Sequence, residues 1–455
     1  MAPIPPLLVF GPVLLAIAAL GLRRWPAGPA LAGLGGLGAL MAVLLAAGPS
    51  GAWAGASDWQ IFGRALALGE AARRALLLVY AGLAMLLLLA LVYRQNRSYV
   101  PLALLVLSPL AGALLIEPFL LGAVLLMTAG CGLAFLIQGE RAGSTLAAMR
   151  VLALSVVAMT FLLAAGWLSS SGQGASPAVV ARFYLLAFVI LLASFPFQLW
   201  VAPAVTESGS LAPAVVFGLA QFLVLLFCLG QLAAAPAVQR SAEVASLLRW
   251  SGLLTVIAGA LLALSARSFG RLLAYALLLD IGLTVVALSF GRPAGFEASL
   301  SLVAFRFVGL TLAGAGLYLI RRLARPAPAG SDQFAANAGL ARRAPLAVAL
   351  YGYGSLALVG APLTPGFLAR WDVIGLVAEA SSWQAGLLVV LTAAGLLALG
   401  RRLASLLAAR TDNDLAERAS RGERLAALVA LTLAALLAMA PDLLSGLIRP
   451  LPGLL

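Results

Sequence analysis

Asp280 stands in the middle of RLLAYALLLDIGL, and Arg306 stands in AFRFVGL, the next apolar stretch along the chain. A charge deep in a hydrophobic segment costs at least a few kcal/mol, so each such residue needs a partner or a role. An unpaired aspartate there takes up a proton, because desolvation disfavours its charged form. Counted inward from the loop they share, Asp280 and Arg306 lie at depths within about two helical turns of each other, which predicts an ion pair between neighbouring helices. Such a pair serves either as a static staple or as a gate whose charge state changes. Arg370 closes APLTPGFLAR, where Pro362, Pro365 and Gly366 interrupt a helix and free backbone to solvate a cation. As arginine it stays protonated, so it biases a proton path without carrying a proton. Glu117 opens another apolar run, and Gln198 and Gln221 are buried-type polar companions. Glu207 lies after a second break at Pro196, and Asp372 and Glu379 follow the break at Pro365. Glu117, Gln198, Gln221, Asp280, Arg306 and Arg370 are the candidate proton pathway: carboxylates that load and release, amides that hold water, guanidinium groups that set a fixed potential.

Other chemistries are poorly supplied. The chain has no His, which removes imidazole metal ligands, haem ligation and Ser-His nucleophile activation. It carries no phosphate loop, dinucleotide fingerprint or CxxC pair, so no cofactor or catalytic centre is expected on it. Cys131 and Cys228 sit in apolar runs and read as small buried hydrophobes. The net charge of +13 comes from arginines scattered along the sequence, not from the clustered face of a nucleic-acid binder.

The elements that hold these residues follow from composition. With 10% charged and 63% hydrophobic residues, the chain has too few charges to cover a water-exposed surface. Lipid accepts that surface, and hydrocarbon obliges the backbone to satisfy itself within helices. Runs of about 20 apolar residues predict an all-α polytopic protein of about fourteen transmembrane helices, near 4–22, 27–48, 74–93, 99–116, 117–138, 150–170, 180–203, 209–232, 248–266, 271–290, 298–320, 344–378, 383–403 and 425–446. The neutral, proline-rich start lacks the basic region of a cleaved signal, so the first run is expected to be a retained span. No connection is long enough for a soluble domain.

Arginine placement orients the bundle. Loops after odd-numbered spans hold 19 arginines and the alternate loops with the tail hold 8, which puts odd loops in the cytoplasm and both termini outside. Spans 7 and 12 are the broken ones. An odd offset of five inverts topology, so spans 4–8 (99–232) and 9–13 (248–403) form two inverted five-helix repeats. Residues 1–98 supply three leading spans and 404–455 the closing one, within a single transmembrane domain.

Three stretches, in the right order and spacing, resemble the antiporter-like, proton-conducting membrane subunits of respiratory complex I and of Mrp-type cation/proton antiporters. FPFQLWVAPAVTESGSLAP resembles PFHxWLPDAxxxAPTPVSA, RSFGRLLAYALLLDIGLTVVAL resembles KRLLAYSSIAHMGYLLVAL, and LVGAPLTPGFLARW resembles LAGIPLTAGFIGKF. The resemblance covers roughly residues 80–400 and is nearest to the N-type subunits, with the M-type next. It implies a subunit without redox chemistry of its own, placed beside other membrane-arm subunits in a bacterial-type inner membrane. FMN, iron–sulfur clusters and quinone would lie on partner subunits of an NADH:quinone oxidoreductase that couples quinone reduction to proton translocation. The family's titratable positions are altered: the span 7 lysine falls on Leu191, the span 8 lysine on or near Gln221, the span 10 histidine on Asp280 and the span 12 lysine on Arg370. Glu117 matches the glutamate opening span 5, and Gln198 takes the place of the histidine after PF. The resemblance therefore leaves two roles open besides conduction: a non-conducting structural or coupling subunit of the same complex, and a cation/proton antiporter, either Mrp-type or a freestanding secondary transporter.

Overall fold

The computed structural model describes residues 4–47, 60–61, 64–116, 120–139, 144–170, 176–235, 238, 241–323, 333–334, 338–407 and 419–454. The described residues are helical almost throughout: α1 (Ile4–Gly21), α2 (Gly28–Ala46), α3 (Glu70–Val92), α4 (Tyr99–Leu115), α5 (Leu120–Gln138), α6 (Leu146–Ser170), α7 (Pro177–Leu191), α8 (Val201–Glu207), α9 (Gln221–Ala234), α10 (Ala242–Ser265), α11 (Phe269–Leu288), α12 (Ala294–Leu323), α13 (Leu340–Arg343), α14 (Pro345–Val359), α15 (Phe367–Ala380), α16 (Ser382–Leu407), α17 (Arg421–Met439), α18 (Asp442–Ile448) and α19 (Leu451–Leu454). Gln60–Ile61 and Arg64–Ala65 pair as a small antiparallel ribbon. Among the described residues, eleven helices are long and apolar enough to cross a membrane, and Tyr99–Leu115, Ala178–Leu191 and Pro345–Val359 are shorter apolar helices. The chain is a multi-pass α-helical membrane protein.

Both interruptions anticipated at proline are present. After α7 the backbone turns through Ala193, at φ 55°, and a cis Phe195–Pro196 bond before Gln198–Trp200 re-enters a helical turn. Between α14 and α15, Gly360, Leu363 and Gly366 take φ of 87°, 63° and 87° around Pro362 and Pro365. Unwound backbone inside a bundle must find donors and acceptors locally. The first break finds them on α10: Phe195 N donates to Thr255 Oγ1 at 2.8 Å and Ser251 Oγ donates to Phe195 O at 2.7 Å. At the second, Tyr353 Oη donates to Leu363 O at 2.9 Å and Thr364 Oγ1 to Ala361 O at 2.6 Å.

Two spans differ in kind from the sequence expectation. The span placed at 425–446 starts earlier, because Ser420 and Glu423 form a capping box, and ends at Met439. Pro441, which cannot continue the i→i−4 ladder, then starts the separate short α18. The span placed at 209–232 opens with a π-helical stretch, Ala214–Ala220, that runs directly into α9 at Gln221.

The helices bearing Gln221, Asp280 and Arg306 lie deepest. Buried residues make up 89% of the best apolar window in Ala214–Ala234, 89% in α11 and 78% in α12, against 22% in Leu146–Ser169 and 17% in α17. Lipid provides little drive for one helix to seek another, so close backbone approach supplies the contact. A Cβ on Gly282 would lie 2.7 Å from Gly252 O and 2.7 Å from Val256 N. The obstruction is backbone, so Gly282→Val is expected to force α10 and α11 apart at a cost near the upper end of about 1–3 kcal/mol. The check is a lower thermal midpoint of the detergent-solubilised protein.

Candidate functional site

The expected Asp280–Arg306 pair is formed, and it is the centre of a larger cluster. Arg306 Nε donates to Asp280 Oδ2 at 2.5 Å. Its Nη1 donates to Gln221 Oε1 at 2.7 Å, and its Nη2 donates to Thr284 Oγ1 and, at 3.4 Å, to Asp280 O. Arg370 Nη2 reaches the other carboxylate oxygen, Asp280 Oδ1, at 3.1 Å. Asp280, Arg306, Arg370 and Gln221 are 4%, 2%, 4% and 5% exposed.

The cluster ties the two broken helices together. Gln221 Nε2 donates to Leu192 O at 2.9 Å, just past the end of α7. Arg370 Nη2 donates to Leu358 O at 2.5 Å, in the last turn of α14. Both acceptors are carbonyls of the kind a helix leaves unpaired at its C-terminus, where the dipole is negative. A continuous polar chain therefore runs from Leu192 O through Gln221, Arg306, Asp280 and Arg370 to Leu358 O. Two guanidinium groups face one carboxylate, so the cluster holds one excess positive charge, which these carbonyl dipoles help to offset. Gly360 makes room for this arrangement: a Cβ there would lie 2.2 Å from Arg370 Cδ.

Gln221 is the residue whose removal interrupts the chain without touching a charge. Gln221→Leu leaves an Arg306 N–H and the Leu192 carbonyl without their partners, at roughly 1–3 kcal/mol for each group left unsatisfied. The expected result is a destabilised protein in which both arginines remain, read by a thermal melt in detergent.

Other candidates are placed differently. Gln198 lies in the turn after the first break, 8% exposed, with its Oε1 buried and without a hydrogen bond. It stays outside the Asp280 cluster. Glu207 Oε2 accepts from Ala147 N at 3.3 Å and so caps the start of α6. Asp372 and Glu379 line a crevice at the end of α12 that carries its first residue. Glu117 lies outside the described residues. Leu191 lines a cavity of about 60 Å³ whose wall also includes Gln221 and Ser155, enough room for a few waters. Its wall is otherwise apolar, and Leu191 contributes no polar atom at the position where the resemblance places a lysine.

Sequence reasoning missed Thr284, Leu192 and Leu358 as members of the cluster. Thr284 lies four residues after Asp280, the spacing that stacks side chains on one helix face, and that signal was available. The two carbonyls carry no side-chain signature; only the fold brings them to the arginine and the glutamine. Arg370 was expected beside freed backbone, and its bond to Leu358 O is that contact.

Chemically, the cluster offers one group able to gain and lose a proton, Asp280, held by two groups that cannot. Protonating Asp280 leaves both cations uncompensated. Proton uptake there therefore requires a guanidinium to withdraw, and Arg370 already has Leu358 O as a second acceptor.

Comparison with known proteins agrees with this architecture. Residues 76–396 match the family described as NADH:quinone oxidoreductase/Mrp antiporter, TM. The NADH-quinone oxidoreductase subunit N of Chromohalobacter salexigens is 30% identical over 261 residues, covering 53% of this chain and 53% of that protein. The NADH-quinone oxidoreductase subunit 13 of Thermus thermophilus is 30% identical over 207 residues, 45% of this chain and 42% of that one. The chain spans about half the length, or less, of the curated relatives it matches. Among solved structures, a chain of an archaeal membrane-bound sulfane sulfur reductase superposes with TM-score 0.82 at 18% identity, covering 100% of this chain and 98% of that one. A chain of the Mrp complex from Dietzia gives TM-score 0.82 at 18% identity, covering 99% and 97%. One from Thermus thermophilus respiratory complex I gives 0.73 at 22%, covering 98% and 99%. The fold is shared across these assemblies, and the family match spans well over half of the sequence: the chain belongs to the NADH:quinone oxidoreductase/Mrp antiporter transmembrane family.

Proposed function

We propose that the chain is a membrane-arm subunit of a proton-translocating, complex I-like NADH:quinone oxidoreductase, working beside other membrane subunits in a bacterial cytoplasmic membrane. Quinone, FMN and iron–sulfur chemistry belong to its partners. The observation that carries the reading is Asp280, a single titratable carboxylate held between Arg306 and Arg370 at the junction of two broken helices. Broken helices meeting at the bundle centre are the arrangement of a transport path. In this subunit, a proton arriving at Asp280 releases Arg370 from Asp280 Oδ1 and leaves it on Leu358 O alone, and the pair re-forms when the proton leaves.

Several features support the wider architecture. Counting the three shorter apolar helices as crossings, with α7 and α8 sharing one span and α14 and α15 another, gives about fourteen spans. The breaks then fall at spans 7 and 12 of two inverted repeats, with the arginine-rich loops in the cytoplasm and both termini outside. The half containing Leu191 has lost its titratable group and contributes positioning through Gln221, while the half containing Asp280 carries the proton. The apolar wall of the Leu191 cavity also favours a second reading, a coupling subunit that no longer conducts.

The test is purification from native membranes followed by reconstitution. Co-purification with flavin and iron–sulfur subunits, and fewer protons pumped per electron in the fraction of Asp280→Asn that assembles, are expected. Unchanged pumping stoichiometry in Asp280→Asn and Glu117→Gln would leave only the coupling role. Purification with other antiporter subunits and no redox partner would assign the chain to a cation/proton antiporter instead.

A further inference from the structure

Three arginine-bearing helix ends meet in the bundle: the last turn of α12, the junction of α13 with α14, and the first turn of α17. They enclose a cavity of about 220 Å³. Leu319 and Leu323 of α12 and Leu346 and Ala347 of α14 form its apolar floor. Arg343 and Arg424, both exposed, stand at its mouth. Glu423 lines it too but is already engaged. It is 2% exposed, its Oε1 accepts from Arg322 Nη1, and its Oε2 accepts from Ser420 N at 2.7 Å. Arg322, Arg343 and Arg424 against Glu423 leave two positive charges in excess. The Arg424 guanidinium has no hydrogen-bond or ion-pair partner among the described residues.

Next to the mouth, α17 packs sparsely. Only 17% of its best apolar window is buried, and Leu425 and Leu428 are 64% and 50% exposed. Leu428 lies four residues after Arg424, so the arginine and the leucine share one helix face. A cation above an apolar stripe matches an anionic head group above an acyl chain, and basic pockets between spans take such head groups. Arginine suits phosphate in particular, because its planar fork donates two parallel hydrogen bonds. The volume is the share of about seven waters in the liquid. It falls below the roughly 300–1,000 Å³ of a site for a drug-sized ligand. One phosphate diester fits inside with its chains left outside along α17, and a nucleotide does not.

We propose that this cavity holds the phosphate of an anionic membrane phospholipid, gripped between Arg343 and Arg424, with an acyl chain running over Leu425 and Leu428. The lipid clamps α17, whose own buried surface is small, to the ends of α12 and α14. Inorganic phosphate would meet the same two arginines and gain nothing from the leucines. A zwitterionic lipid would meet the leucines, but its own cation would oppose the excess positive charge. The site is separate from the Asp280 cluster and does not depend on proton conduction.

The protein, solubilised from native membranes with the subunits it retains, is treated with subsaturating phosphatidylglycerol that carries a photoreactive acyl chain, and the labelled peptides are mapped. Labelling within residues 419–428, and within 319–323 or 344–347, is expected. Unlabelled phosphatidylglycerol should compete, and phosphatidylcholine and inorganic phosphate should not. An arginine beside an anionic lipid changes affinity about fivefold. Arg424→Gln should therefore lower labelling about fivefold, and Arg424→Gln with Arg343→Gln about twenty-five-fold, at unchanged assembly. Added phosphatidylglycerol should raise the thermal midpoint of the native protein more than that of the double variant. Undiminished labelling in Arg424→Gln would overturn the site, as would equal competition by phosphatidylcholine or by inorganic phosphate. Absence of labelling because a neighbouring subunit covers the cavity would overturn it as well.

Discussion

Asp280→Ala is expected to destabilise the protein by roughly 3–5 kcal/mol, because it strands two buried guanidinium groups without a counter-charge. The size follows from the geometry. Arg306 and Arg370 are 2% and 4% exposed and both contact the same carboxylate, one oxygen each. No other acidic side chain is bonded to either arginine among the described residues. Removing one charge from a buried pair is far costlier than removing both, since well-packed apolar residues of similar volume often replace such a group without loss. Asp280→Leu with Arg306→Met and Arg370→Met is therefore expected to recover most of the stability lost in Asp280→Ala. The same triple variant should assemble and yet pump fewer protons, which separates the structural contribution of the cluster from its chemistry. Thermal melts in detergent and pumping stoichiometry in liposomes read the two effects independently. A triple variant no more stable than Asp280→Ala would mean that the charges are not what the site requires.

Gly360→Ala is the second change with a large expected effect. At φ 87° the residue already lies where a Cβ is strained. That Cβ would also stand 2.2 Å from Arg370 Cδ and 2.3 Å from Nε. The arginine then cannot keep both Leu358 O and Asp280 Oδ1, so one methyl group dislodges a cation from the cluster. The loss of pumping should approach that of Arg370→Gln. The two changes act on one contact, and neighbouring residues of that kind couple instead of adding. The double variant should accordingly pump about as well as either single one. Full additivity in the double-mutant cycle would show that Gly360 acts elsewhere.

How much of this was legible in the sequence depends on which residues had an alternative. Asp280 and Arg306 could be paired from depth alone, because a charge in an apolar helix has few acceptable positions. The breaks at Pro196 and Pro365 were legible because proline removes a donor wherever it falls. Arg370 could be placed beside freed backbone, but its attachment to Asp280 could not, since nothing in sequence fixes the rotation of α15 after three positive-φ residues. Gln221 was named as a polar companion. Its role as the link to Leu192 depends on the π-helical turn before it, which has no residue signature in AVVFGLA. The run of apolar residues continues past Pro441, and the structure stops the closing span at Met439, as proline chemistry requires.

The central claim is that Asp280 changes protonation during turnover while its two arginines do not. Infrared difference spectroscopy of the reconstituted complex, reduced against oxidised, addresses it directly. The account predicts a carboxylic C=O stretching band that appears with turnover, shifts in deuterated water and is absent from Asp280→Asn. A difference spectrum with no carboxylic band that Asp280→Asn removes would contradict it and leave the cluster a fixed staple.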